Sequence, residues 1–204
     1  MNHVFHVCDY SAPLPEIMYL DTCFIYEIYG NDPDSKHKQD CYNFSNRLVA
    51  NKVIMAVSHI AIEELEHVII KGIYEKRAKE RNTNWSSLLK KSSEFMPEVN
   101  LELNRVMELL SKNPSVVECP VTMDNEFAIL RRGLITTYGM DTRDAGHIIC
   151  AHQNASNSIA TIDYDFHKVP DINIFSSNSK YFDAATNQPN SLLPPSIKLS
   201  TLAS

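Results

Sequence analysis

The sequence lacks the features that mark membrane, secreted and zinc-ribbon proteins. No apolar run in its 204 residues approaches the roughly 20 residues of a membrane-spanning helix, so we expect no membrane association. The five cysteines are scattered and form no Cys-x-x-Cys pair, which excludes a zinc ribbon and a redox dithiol motif. The N-terminus has neither the basic start nor the apolar core of a signal peptide. Together with unpatterned thiols, this predicts a cytoplasmic protein.

The sequence also lacks a surplus of basic residues. It carries 19 Lys and Arg against 25 Asp and Glu, a formal net charge of −6. This balance disfavours a general polyanion-binding protein, whose surface would be basic. It is compatible with a nucleic-acid enzyme that has an acidic centre and local basic patches. The length and a hydrophobic fraction of 44% predict one globular domain with a sizeable core.

Short apolar runs of strand length alternate with helical segments along the chain. We predict strands at residues 17–20, 53–57, 115–119, 158–162 and 172–175, and helices at 22–30, 37–50, 58–80, 98–112, 122–139 and 141–155. Ser58 and Thr122 are the expected N-caps of two of these helices, and Gly139 the expected end of the second. The alternation is typical of an α/β fold with a mainly parallel sheet of four or five strands.

The ends of the chain and its middle differ from this pattern. We expect residues 1–15 to form an irregular leader, because they contain two prolines and no clear period. Residues 16–175 form the main domain, in which residues 71–115 are expected to be a helical insertion. Residues 176–204 are rich in Ser, Asn and Pro, which predicts an extended or partly disordered tail.

Four acidic residues fall where predicted strands end or where neighbouring helices begin. Asp21 ends the first strand and Asp163 the fourth, whereas Glu64 and Asp144 lie near the starts of two helices. Sites in open α/β sheets form outside the carboxyl ends of the strands, so these side chains can converge. Four bare anions would raise one another's pKa values. A hard divalent cation such as Mg²⁺ or Mn²⁺ would remove that conflict, since oxygen ligands suit it.

Each acid, taken alone, also has a simpler explanation. Asp21 and Asp144 can serve helix N-termini, where a carboxylate accepts backbone N–H groups. Glu64 can be a solvated helix residue, and Asp163 a turn residue after a strand. Their joint placement is what favours a metal site.

Four segments in order resemble the successive motifs of PIN-domain nucleases, a family that includes VapC-type toxins. The segments are YLDTCF (19–24), SHIAIEEL (58–65), DTRDAGHIICA (141–151) and IATIDYDF (159–166), and their order and spacing match across about residues 17–175. The resemblance implies a PIN-like three-layer α/β/α fold. It also implies Mg²⁺- or Mn²⁺-dependent hydrolysis of RNA phosphodiester bonds.

The same resemblance implies roles for individual residues. The catalytic and metal-binding acids would be Asp21, Glu64, Asp144 and Asp163, supported by Thr22 and Thr161. Glu63 competes with Glu64, and we take Glu64 because the family places its acid directly before the Leu of this motif. Asp165 is an extra acid that could assist or replace Asp163.

A basic stretch at residues 71–91 carries seven Lys or Arg and two Glu. It is either a solvated helix face or a path for a phosphate backbone. The expected substrate contacts are Arg143, Lys76, Arg77, Lys79 and Arg81. The expected partners are an RNA substrate, an antitoxin or other protein, and a second copy in a homodimer.

Two other functions compete with the nuclease. One is a non-catalytic PIN-like scaffold that binds RNA or protein. The other is a di-iron carboxylate helical protein, since Glu64 with His67 and Asp144 with His147 match the spacing of its Glu-x-x-His motif. The predicted strands disfavour the second. We expect His147 to be either a residue at the edge of the site or a packing residue, rather than a ligand.

Overall fold

The computed structural model describes residues 3–32 and 35–182. Within these ranges the strands are Val4–His6 (β1), Ile17–Leu20 (β2), Ile54–Ser58 (β3), Val116–Cys119 (β4), Ser158–Ala160 (β5) and Asn173–Ser176 (β6). The α-helices are Thr22–Tyr29 (α1), Lys38–Ala50 (α2), His59–Glu80 (α3), Trp85–Lys91 (α4), Met96–Lys112 (α5), Asn125–Tyr138 (α6) and Thr142–Gln153 (α7). Two 3₁₀ helices follow, at Tyr164–Lys168 and Ser179–Tyr181.

The strands form one parallel sheet in the order β1-β6-β5-β2-β3-β4. This confirms the predicted mainly parallel sheet. The chain runs from β2 outward through β3 to β4, and then crosses to β5 on the other side of β2. The strand order therefore reverses between β2 and β5, which is where open α/β sheets place their sites.

Side chains of β2 alternate between two cores, which makes the fold three-layered. Met18 and Leu20 pack with residues of α1, α2, α3 and α5, whereas Tyr19 packs with residues of α6 and α7. Both faces of the sheet are thus covered by helices, as parallel strands require. The predicted three-layer α/β/α fold is confirmed. A central six-stranded sheet also rules out the helix bundle of a di-iron carboxylate protein.

The sheet has one strand more than predicted, because part of the expected leader is ordered. Residues Val4–His6 pair in parallel with β6, and Val4 and Val7 are buried. The Phe5 ring stacks on Phe175 with centroids 4.9 Å apart. The expectation of an irregular segment across residues 1–15 is therefore wrong for these residues. A strand of three residues is too short to give a readable period.

Residues 71–115 are largely helical. The second half of α3 packs with α4 and α5 around a small core of their own, formed by Tyr74, Ala78, Leu88, Phe95 and Val99. Short α4 begins at an N-cap, Asn84, whose side chain accepts from the backbone N–H of Ser86 at 2.9 Å. No helix in the described ranges has both the length and the apolar character needed to cross a bilayer.

Two predictions of element ends need correction. The N-cap of α6 is Asp124, not Thr122, since the Asp124 carboxylate accepts from the N–H of Phe127 at 2.9 Å. The predicted tail from residue 176 is ordered as far as residue 182, because Tyr181 and Phe182 are buried. The prediction of an extended tail rested on average composition, which gave no weight to these two buried aromatic residues. The rest of the predicted tail, residues 183–204, lies outside the described residues.

Candidate active site

The four predicted acids line one cleft at the carboxyl end of the sheet. Asp21 follows β2, Asp163 lies three residues beyond β5, Glu64 is in the second turn of α3, and Asp144 is in the first turn of α7. The cleft has a volume of about 170 Å³, and its remaining walls are Thr22, Cys23, Tyr26, Glu27, Val68 and Ile162. Residues up to 142 positions apart in the sequence therefore meet at the point where the strand order reverses.

Asp21 is both a helix cap and a member of the cleft. Its Oδ1 accepts from the backbone N–H of Thr22 at 2.8 Å, at the start of α1. Its Oδ2 accepts from the hydroxyl of Thr161 and from the thiol of Cys23, each at 2.7 Å. Asp21 is 4% exposed, so these contacts replace hydration that burial removes. The helix cap expected for Asp21 is therefore present, and the same carboxylate lines the cleft.

Thr161 connects Asp21 to the second strand-end acid. Its Oγ1 also accepts from the backbone N–H of Asp163 at 2.9 Å. The Asp163 carboxylate in turn caps the following 3₁₀ helix through the N–H of Asp165, at 2.9 Å. Asp165 itself pairs with Lys168 at 2.9 Å, whereas Asp163 lines the cleft. Of these two acids, Asp163 is the one that faces the other three.

The structure separates the two adjacent glutamates of α3. The side chain of Glu63 is 64% exposed and pairs with His59 at 3.1 Å. Glu64 lines the cleft and accepts from the Thr22 hydroxyl at 2.9 Å. The pKa of Glu64 is lowered to about 2, chiefly by its hydrogen bond with His147. Burial opposes this shift, and the hydrogen bond with Thr22 adds to it. Glu64 therefore carries a full negative charge at neutral pH.

Asp144 experiences the repulsion that the sequence predicts. The carboxylate is half-buried, and burial followed by the negative charges of Asp163 and Asp21 raises its pKa to about 7. Near neutral pH, the cluster thus retains a proton on one member instead of a fourth charge. A divalent cation would supply the compensation that this proton now provides.

His147 was expected at the edge of the site or in the packing, and the structure places its ring between two acids. The ring is fully buried, with Nε2 2.9 Å from Glu64 Oε2 and 3.4 Å from Asp21 Oδ1. Although burial favours the neutral ring, the hydrogen bond with Glu64 and the nearby carboxylates raise the pKa of His147. The available sequence signal was its spacing of three from Asp144, which puts both on one face of α7.

The expected substrate-contact residues fall into two groups. Arg143 lies at the cleft, with its guanidinium 3.3 Å from Glu64 and 58% of its side chain exposed. The others, Lys76, Arg77, Lys79 and Arg81, lie roughly 18 to 26 Å from Glu64 along the axis of α3, at 1.5 Å per residue.

Ion pairs distinguish the arginines from the lysines in the distant group. Arg77 pairs with Glu80 at 3.1 Å and with Glu98 at 2.9 Å, and Arg81 pairs with Glu94 at 2.9 Å. Lys76 and Lys79 face solvent. The two lysines are therefore better available to a phosphate backbone than the two arginines.

Similarity to known proteins is found among solved structures of low sequence identity. No family model and no curated protein matches the sequence. One similar solved structure is VapBC2 from Rickettsia felis bound to a DNA fragment from their promoter. It is 14% identical, with a TM-score of 0.49, over 78% of this chain and 98% of that one. Another is PAE2754 from Pyrobaculum aerophilum, 15% identical with a TM-score of 0.41, over 78% of this chain and 84% of that one.

Proposed function

We propose that the protein is a metal-dependent nuclease that hydrolyses RNA phosphodiester bonds. The observation that carries the proposal is the convergence of Asp21, Glu64, Asp144 and Asp163 on one cleft at the switch point of a parallel sheet. Four elements each supply one acid, so the cluster is a product of the whole fold and not of one acidic segment. The four PIN-like motifs motivate the choice of RNA as substrate.

The donor set fits Mg²⁺ or Mn²⁺. Carboxylate oxygens are the preferred ligands of both ions. Asp21, Asp144 and Asp163 would hold the ion, and Glu64 would bind a second ion or orient the attacking water. A bound divalent ion would lower the pKa of water and neutralise a phosphoryl oxygen during in-line attack. The raised pKa of Asp144 supports this fit, because burial and then the negative charges of Asp163 and Asp21 disfavour its ionised form, and a bound cation would offset both.

The chain's own groups would prepare this chemistry. Thr161 and the backbone N–H of Thr22 hold both oxygens of Asp21, so its carboxylate keeps one orientation. Glu64 stays ionised at neutral pH and can accept a hydrogen bond from the attacking water. The exposed guanidinium of Arg143 can contact a phosphate next to the scissile bond. The motif resemblance further motivates an antitoxin or other protein partner, a homodimer and a cytoplasmic location.

The competing function is a PIN-like scaffold without catalysis. A scaffold gains nothing from four acids that repel one another, and replacing one of them would relieve that repulsion. The cluster therefore favours the enzyme.

A cleavage assay separates the two functions. Single-stranded RNAs of varied sequence are incubated with Mg²⁺, Mn²⁺ or EDTA, with the wild type, with Asp21→Asn and with Glu66→Gln. Asn is also a good N-cap, so Asp21→Asn should fold while losing cleavage at least a hundredfold. Glu66 is an exposed acid of α3, so Glu66→Gln is the matched control and should cleave RNA as fast as wild type. Equal survival of RNA with metal and with EDTA would refute the enzyme and leave the scaffold.

A further inference from the structure

The nuclease proposal uses four carboxylates and leaves His147 without a role. This is the one histidine that joins a group of possible ligand atoms in the described part of the chain. Its Nε2, one oxygen of Asp21 and one of Glu64 all lie within 4.8 Å of one another. The ring is fully buried in α7, where a histidine without a polar purpose would be costly.

The contacts of Nε2 match the spacing of neighbouring ligands around an ion. Two ligand atoms at right angles, each about 2.1 Å from a common ion, lie about 3.0 Å apart. Nε2 is 2.9 Å from Glu64 Oε2 and 3.4 Å from Asp21 Oδ1. The three side chains would therefore need little movement to share one ion.

The opposite ring nitrogen is held in the manner of a metal-binding histidine. Nδ1 lies 2.8 Å from the hydroxyl of Tyr19, which lies 2.6 Å from the hydroxyl of Ser58. When Tyr19 donates to Ser58, it can accept from Nδ1–H. Histidine ligands usually donate their second N–H in this way, which fixes the ring and its tautomer. Without an ion, Nε2–H then donates to the ionised Glu64; loss of that proton on ion binding would free the Nε2 lone pair for the ion.

We propose that His147 is a ligand of a divalent ion held together with Asp21 and Glu64, which is the second-ion position already assigned to Glu64, and that it makes this position prefer a first-row transition ion to Mg²⁺. The inference rests on the proposed metal-dependent function. Imidazole nitrogen is a better ligand for transition ions than for Mg²⁺, which favours oxygen and retains its water. An all-carboxylate site would lack this source of discrimination.

The test measures ion binding, not cleavage. Metal-depleted protein is titrated calorimetrically with Mn²⁺ and with Mg²⁺, for the wild type, His147→Gln and His152→Gln. The Gln amide oxygen can reach the position of Nε2, so His147→Gln exchanges nitrogen for oxygen. Wild type should bind Mn²⁺ at least tenfold more tightly than Mg²⁺, and His147→Gln should lose most of that ratio. His152 is exposed near the end of the same helix, so His152→Gln is the matched control and should keep the wild-type preference for Mn²⁺ over Mg²⁺.

Two further measurements make the result independent of how His147→Gln folds. Pulsed electron paramagnetic resonance of the Mn²⁺-loaded wild type should show the ¹⁴N coupling of a directly bound imidazole nitrogen. Tyr19→Phe keeps His147 but removes the partner of Nδ1. It should weaken Mn²⁺ binding about tenfold or more and Mg²⁺ binding less.

Distinct outcomes separate this inference from the nuclease proposal. Binding of Mn²⁺ without ¹⁴N coupling would overturn the inference alone and reduce His147 to a hydrogen-bond donor. Tighter Mn²⁺ binding by His147→Gln would do the same, since the ring would then be a competitor of the ion. Absence of binding by either ion would overturn both proposals.

Discussion

The hydroxyl of Thr161 donates to Oδ2 of Asp21 at 2.7 Å, although the two residues are 140 positions apart in the sequence. The hydroxyl is buried and also accepts from the N–H of Asp163 at 2.9 Å. One side chain thus fixes the orientation of the acid after β2 and the backbone of the acid after β5. The candidate site depends on this bridge between neighbouring strands.

Replacing Thr161 by Val should loosen the site while preserving its shape. The buried oxygen of Asp21 would lose a donor, which should lower the free energy of unfolding by about 1–3 kcal/mol. Divalent-ion affinity and kcat/KM should fall roughly tenfold to a hundredfold, the usual effect of losing a ligand's supporting hydrogen bond. Urea unfolding, ion titration and RNA cleavage measure the three effects. Thr161→Ser keeps the hydroxyl and is the control; equal activity of the Val and Ser variants would contradict a positioning role.

Glu64→Gln and Glu63→Gln form a matched pair at adjacent positions of α3. Only Glu64 lines the cleft, whereas Glu63 pairs with His59 at the surface. We expect Glu64→Gln to lower kcat by at least a hundredfold, because its charge acts on the ion or the attacking water, and Glu63→Gln to stay within twofold. Single-turnover cleavage with saturating Mn²⁺ measures both. Loss of activity in Glu63→Gln instead would reverse the assignment of the second acid.

The parts of the fold that sequence predicts well are those with local signals. Runs such as residues 17–20 and 158–162 have strand length and apolar composition, and Asp21 follows the first of them directly. Because parallel strands end at the same edge of a sheet, the placement of these acids could be reasoned without coordinates. The three-residue β1 has no such signal, since its burial depends on β6, about 170 positions later.

The surroundings of the site depend on contacts that no local pattern reveals. His147 is fixed by Tyr19, 128 positions away, so its polar role could not be distinguished from packing in an apolar helix. Arg77 and Arg81 belong to a basic stretch, yet their partners Glu98 and Glu94 lie outside it. The net charge of the sequence segment therefore overstated how many of its basic side chains are available to bind a phosphate backbone.

The free energy of unfolding of the metal-free protein should depend on pH through the titration of Asp144. Its pKa is raised from 3.8 to about 7 in the folded state by burial and by the charges of Asp163 and Asp21. Between these pH values, the folded state holds a proton that the unfolded chain releases. This group's contribution to the free energy of unfolding therefore decreases as pH rises through about 7.

Asp144→Asn isolates that contribution, because Asn does not titrate. In EDTA, the stability of the variant relative to wild type should increase between pH 5 and pH 8. We expect a change of about 1–2 kcal/mol, less than the full shift would give because the carboxylate is only half-buried. Urea unfolding at several pH values measures it. A stability difference that is constant with pH would show that Asp144 titrates as an ordinary carboxyl.

The exposed lysines of α3, and not its arginines, should contribute to RNA binding. Lys76 and Lys79 face solvent, whereas Arg77 and Arg81 are paired with glutamates. Removing both lysines should weaken binding across sequences and reduce the slope of log K against log salt by about one to two units, since fewer counterions are released from single-stranded RNA. The double variant Arg77→Ala, Arg81→Ala should leave the slope nearly unchanged, and because the lost ion pairs are exposed, it should change stability little. Fluorescence anisotropy with a labelled RNA and Ca²⁺ in place of the active ion measures the slope.

A larger change in slope for the arginine variant than for the lysine variant would contradict this prediction. It would mean that RNA displaces the glutamates and that the far end of α3 binds RNA through its arginines.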